Sequence, residues 1–124
     1  MSTEAVAKKL VEMIRSGQMG EAVEELYADH VVSIEPEGYG GGPERIEGKA
    51  GKLQKASQFN EMVEEMHGME ISDPIVADAF FSVMMKMDVT YKGMGRAQME
   101  EICVYEVRDG KVVMEKFFFT PQQG

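Results

Sequence analysis

Apolar positions in the first part of the chain recur at helical spacing. Val6, Leu10, Met13 and Ile14 fall on one helix face, and Ser2-Thr3-Glu4 ahead of them supplies a capping hydroxyl and an early acidic residue. Arg15-Ser16-Gly17 closes that helix with a cation and then a glycine. A second short helix places Met19, Ala22, Val23, Leu26 and Tyr27 on one side and Glu21, Glu24 and Glu25 on the other. The two read as a helical hairpin. From His30 to Glu35 the pattern becomes that of a short strand, stopped by Pro36. Four glycines and a proline between Glu37 and Pro43 leave only a loop there, and it lacks the Lys-Ser/Thr ending of a phosphate-binding loop.

Gly48 to His67 is predicted as a third, longer helix, with Leu53, Ala56, Phe59, Met62, Val63 and Met66 near one stripe and Gly68 as its stop. The remainder is β-rich. Ile71 to Ala77 is predicted as one strand, with Pro74 marking an edge or a bulge. Phe81, Val83, Met85, Met87 and Val89 alternate with Ser82, Met84, Lys86, Asp88 and Thr90 in a long two-faced strand. Lys92-Gly93-Met94-Gly95 turns the chain, and Gln98 to Val107 runs back. Arg108-Asp109-Gly110-Lys111 is a hairpin turn, and Val112 to Thr120 is the last strand. Helices, one strand, a helix and then a meander of strands make an α+β order rather than alternating βαβ.

Composition narrows the picture. At 124 residues the chain is sized for one domain, residues 1–124. A single cysteine, Cys103, excludes an intramolecular disulfide. The N-terminal segment carries Glu4, Lys8, Lys9 and Glu12 among its apolar residues, so neither a signal peptide nor a membrane span is expected, and a cytoplasmic location is the default. The net charge of −9 disfavours nucleic acid and anionic lipid as partners. Twelve methionines suit either flexible core filling or an adaptable apolar binding surface.

Three segments in register resemble the SnoaL-like branch of the nuclear transport factor 2-like superfamily. They are Leu26-Tyr27-Ala28-Asp29-His30-Val31-Val32-Ser33-Ile34-Glu35-Pro36, then Ile46-Glu47-Gly48-Lys49 opening the long helix, and Val104 to Val113 running into Phe117-Phe118-Phe119. The likeness covers nearly the whole chain. It implies a cone-shaped, cystatin-like fold, in which the helical hairpin and the long helix pack within a strongly curved antiparallel sheet. Members often dimerise through the outer face of that sheet, so a homodimer is expected; Phe80 and Met84 supply apolar groups there. The superfamily includes ketosteroid isomerases, polyketide cyclases, dehydratases and plain binding domains, so the fold leaves the function open.

The resemblance puts Glu35 where isomerase members carry a proton-shuttling aspartate; the alternative is an exposed strand-end glutamate. Alternation places Glu101, Cys103 and Tyr105 on one strand face, turned to the interior by the register of the Asp109-Gly110 turn. Glu101 could supply a neutral carboxyl if buried, or sit solvated at the rim. By the same resemblance, Cys103 and Leu10 stand where isomerases use a protonated aspartate and a tyrosine, so steroid isomerisation itself is not expected. Cys103 has no histidine partner on its strand and reads as buried filler. Tyr27, Tyr39, Phe59, Phe80, Phe117 and Phe119 are aromatic candidates for a cavity wall or for core, and the loop 38–42 with Tyr39 is a candidate lid. Glu64 and His67, one helical turn apart, supply too few ligands for a metal, and no metal or other cofactor is expected.

Two functions remain open. One is acid/base catalysis on a small apolar or polyketide-like molecule in the internal cavity, with Glu35 as candidate base, Glu101 or Tyr105 as candidate donor, and Leu10, Tyr27, Phe59, Cys103, Tyr105 and Phe117 lining the pocket. The other is a non-catalytic ligand-binding or dimeric scaffold domain, whose pocket would hold at most one satisfied polar group.

Overall fold

The Ser2 hydroxyl accepts the Ala5 amide at 3.1 Å and caps helix α1 (Thr3–Arg15), which Gly17, at φ 75°, turns out of. The structure, a computed structural model, describes residues 1–39 and 43–120. Helix α2 (Met19–Leu26) has only eight residues, below the ~12–15 an isolated helix needs, so tertiary packing must hold it. That packing comes from Val6, Ala7, Leu10, Val11 and Ile14 of α1 meeting Ala22, Val23 and Leu26 of α2, all buried. Each such side chain contributes roughly 1.5–3 kcal/mol on leaving water, less for the alanines.

Strand β1 (Tyr27–Ile34) follows without a linker, then β2 (Arg45–Glu47), helix α3 (Lys49–Met62) and five further strands. These are β3 (Val63–Ile71), β4 (Ile75–Ala77), β5 (Phe80–Tyr91), β6 (Gly95–Arg108) and β7 (Lys111–Phe118). They form one sheet in the order β2-β1-β7-β6-β5-β3, with β4 paired to β5. All pairings are antiparallel except one: β1 lies parallel to the last strand, β7. The hairpin predicted at residues 108–111 forms as read. Asp109 and Gly110 both take positive φ, 52° and 74°, the pair of values a tight two-residue hairpin turn needs.

Several boundaries differ from the sequence reading; β6, for one, starts at Gly95 and β7 ends at Phe118. The long helix stops at Met62, and Val63 to His67 are strand, because β5 offers an edge that pairs Val63 with Tyr91 and Met66 with Val89. Glu64 and His67 are therefore not a helical pair. His67 instead lies 3.1 Å from Glu65 and 2.6 Å from Thr90 on the sheet. The predicted strand 71–77 is two strands, because the Ser72 hydroxyl takes the Met84 amide at 2.8 Å and breaks the ladder before Pro74. Tyr27 is already extended and opens β1, and β2 was not foreseen. Of the glycine loop read as a lid, residues 40–42 lie outside the described residues.

Candidate functional site

The inward faces of β1, β6 and β7 converge beneath α3. Alternation on β6 turns Glu101, Cys103, Tyr105 and Val107 inward, and the latter three are buried. Tyr105 stacks on Phe81 of β5 with ring centres 4.6 Å apart. Tyr27 and Ser33 of β1 point to the same side, and Glu35 follows at the strand's end, where its amide donates to Glu44 O at 2.7 Å. From β7 come Glu115 and Phe117, two residues apart on the inward face.

Glu115 is fully buried, an arrangement that costs several kcal/mol unless the charge is matched. The match is complete. Tyr27 donates its hydroxyl to one carboxylate oxygen, while Ser33 Oγ and Lys52 Nζ each donate to the other at 2.7 Å. Lys52 reaches down from α3 and is its one buried residue, so an ion pair helps to dock the helix on the sheet. One turn on, Lys55 donates to Glu35. Both ammonium groups lie over the Phe117 ring, at 5.2 and 5.4 Å from its centre, and Lys55 is also 5.7 Å from the Tyr39 ring.

Glu101 is the titratable member of this interior. Burial pushes its carboxyl up from 4.5 to about 7, the Glu35 carboxylate adds to the rise, and the Cys103 thiol and Lys52 work against it. The Cys103 sulfur donates to Glu101 Oε1 at 3.6 Å. Burial, followed by the Glu101 charge, drives the Cys103 thiol far up, so it is no thiolate nucleophile. The Tyr27 and Tyr105 phenols are likewise held protonated, first of all by burial.

The sequence-derived residues are distributed as follows. Glu35, Glu101, Cys103, Tyr105, Tyr27 and Phe117 share this interior. Leu10 lies within the apolar core of the helical hairpin, and Phe59 is half-buried at the far end of α3, edge-on to Tyr91 with ring centres 6.1 Å apart. Sequence reasoning missed Lys52, Lys55, Ser33 and Glu115. The interior is accordingly far more polar than a pocket with at most one satisfied polar group. The methionines divide: Met85 is buried, Met13, Met19, Met69 and Met87 pack against the core, and Met62, Met66 and Met94 are exposed. Glu35 and Phe117 also border an open depression of about 670 Å³, which Phe119 and Pro36 help to line. Among the described residues, no group of three or more His, Cys, Asp or Glu is placed to hold a metal ion, and no helix is long and apolar enough to cross a membrane.

The family profile of the SnoaL-like domain matches residues 1–119. Among solved structures, a candidate SnoaL-like polyketide cyclase [carbohydrate phosphatase] from Mesorhizobium loti is 32% identical, with a TM-score of 0.88 over 96% of this chain and 100% of that one. A candidate isomerase from Bacillus subtilis is 22% identical, with a TM-score of 0.74 over 98% and 91% of the two chains. A Xanthomonas campestris protein of unknown function with a cystatin-like fold is 15% identical, with a TM-score of 0.80 over 95% and 90%. No curated protein matches the chain.

Proposed function

The chain belongs to the SnoaL-like domain family, and from that premise we propose that it binds a small, largely apolar molecule under α3 and moves a proton on it, as an isomerase, cyclase or dehydratase does. The observation that carries this reading is the pairing of two carboxyls, Glu35 and Glu101, in one water-poor interior, with Glu101 poised at about 7. A carboxyl that titrates near neutrality can both take a proton from carbon and return it. Glu101 is the proton-transfer group. Glu35, which Lys55 already engages, sets the electrostatic environment of Glu101. Tyr105 and Cys103, both protonated, stand beside Glu101 as donors to an oxygen that gains charge, the thiol being the weaker.

The test is deuterium exchange at the carbon next to the carbonyl of α-tetralone, a neutral aryl ketone, followed by NMR in heavy water. Wild-type protein is expected to accelerate exchange, and Glu101→Gln to lower that acceleration by about a hundredfold or more. Wild-type protein that gives no exchange above buffer would reduce the function to ligand binding alone.

A homodimer belongs to the same reading, as does a cytoplasmic location. On the sheet face turned away from the helices, Met84, Ile102 and Phe118 are direct cross-strand neighbours on β5, β6 and β7. Ile102 and Phe118 are 46% and 47% exposed, and Phe80 lies on the same face, so the stripe is an apolar patch that a second copy would cover. Ile102→Asp is expected to convert a dimer to a monomer in light scattering at micromolar concentration. A wild-type monomer under those conditions defeats the proposal.

A further inference from the structure

Part of the interior is occupied by a cation that the protein itself supplies. Lys55 Nζ donates to Glu35 and stands 5.7 Å from the centre of the Tyr39 ring and 5.4 Å from that of Phe117. One carboxylate and two aromatic faces around a positive nitrogen are the groups by which proteins recognise ammonium ions. The aromatic walls are themselves anchored. Tyr39 donates its hydroxyl to Pro43 O at 3.0 Å and meets Phe119 edge-on, while Phe117 is buried.

The two lysines of α3 are not equivalent. The Lys52 side chain is 9% exposed and pairs with a carboxylate that also serves Tyr27 and Ser33, so withdrawing it would strand a buried charge. The Lys55 side chain is 22% exposed and pairs with a single carboxylate beside the open depression that Glu35 and Phe117 border. Its flexible four-carbon stem lets the ammonium turn out to water. What it would leave behind is the Glu35 carboxylate, 10% exposed, and the two rings that flanked the ammonium.

We propose that Glu35, Tyr39 and Phe117 form an ammonium-binding subsite which Lys55 fills in the resting protein, and that the ligand is an organic cation, an amine or quaternary ammonium on an apolar body, that displaces Lys55. The inference rests on reading this interior as the ligand site. Exchange of one cation for another leaves the charge of the interior unchanged. An anionic ligand would instead bring another negative charge beside Glu35, Glu101 and Glu115, where like charges already act on one another. The net charge of −9 also draws cations to the protein. Lys55 is then a built-in competitor, and the observed affinity is the intrinsic one multiplied by the fraction of molecules in which Lys55 has vacated the subsite.

Calorimetric titration with benzyltrimethylammonium and with benzoate tests this on the full chain. Lys55→Ala is expected to bind the cation at least about tenfold more tightly than wild type. Adding Glu35→Gln to Lys55→Ala is expected to reverse that gain, and benzoate to bind neither protein. Should Lys55→Ala fail to fold by circular dichroism, Lys55→Gln carries the same comparison. Cation affinity unchanged by removal of the lysine, or benzoate bound in preference to the cation, overturns the proposal. Deuterium exchange that depends on Glu101 without cation binding would sink this inference alone. Cation binding without exchange would sink only the catalytic reading.

Discussion

Glu115→Ala is expected to destabilise the protein by about 3–5 kcal/mol, the usual cost of removing one partner from a buried ion pair. For a domain whose total stability is of order 5–15 kcal/mol, that approaches unfolding. The change leaves Lys52 charged beneath α3 with no counter-ion, and leaves the Tyr27 and Ser33 hydroxyls without their acceptor. Urea denaturation at pH 7, followed by far-ultraviolet circular dichroism, gives the number. The double change Glu115→Leu with Lys52→Met is expected to be less damaging than Glu115→Ala, since an apolar pair has no uncompensated charge. A loss below about 1 kcal/mol for Glu115→Ala would mean that the network is open to water and has no part in holding α3 to the sheet.

The second expected result is a stability that falls as pH rises through Glu101. The folded state raises this carboxyl from 4.5 to about 7. Below pH 4.5 folded and unfolded chains both hold the proton, and the group has no effect. Between 4.5 and 7 the unfolded chain releases it while the folded chain keeps it, so stability drops, then levels off above 7. At about 1.4 kcal/mol for each pKa unit the drop is about 3 kcal/mol. Other groups titrate in the same range, so the measurement is the difference between wild type and Glu101→Gln, by denaturant titration from pH 4 to pH 8. Glu101→Gln should gain about 3 kcal/mol on wild type across that window. Glu35→Gln should move the midpoint of the wild-type drop to lower pH, because the Glu35 charge contributes to the rise. A flat difference would place the Glu101 carboxyl in water and remove the basis for proton transfer there.

Where chain periodicity and tertiary contacts agreed, the fold was legible. The α1–α2 hairpin, the long strands and the 108–111 turn all follow from local pattern. That turn fixed which face of β6 looks inward, so Glu101, Cys103 and Tyr105 could be grouped from sequence. The end of α3 could not be read, because Met62 to His67 suits a helix locally and is claimed as strand only by the distant edge of β5. Glu115 was hidden by a register shift. Val112 and Glu115 both face inward although they stand three positions apart, because the β6–β7 ladder slips between Glu106 and Val107. A usable signal nevertheless existed: counting back two from Phe117 lands on Glu115. Lys52 carried a comparable one, lying one turn before Ala56 on the stripe that was read as apolar. A charged residue on each of two facing apolar surfaces is the pattern of a buried pair.

The parallel contact between β1 and β7 has a consequence for how the molecule comes into being. Tyr27 and Ser33 find their acceptor 88 and 82 residues further along the chain. The α1–α2 and β5–β6 hairpins close over short loops and can form early, whereas β1 must wait for that distant strand, with a loop-closure cost that makes such pairings slow. During synthesis the site is therefore absent until β7 has left the ribosome, and β1 has only the short strand β2 beside it until then. Of the seven strands β7 is made last, so a chain arrested or truncated before it would retain much of the sheet yet lack Glu115, the carboxylate that pairs with Lys52 and takes the Tyr27 and Ser33 hydroxyls.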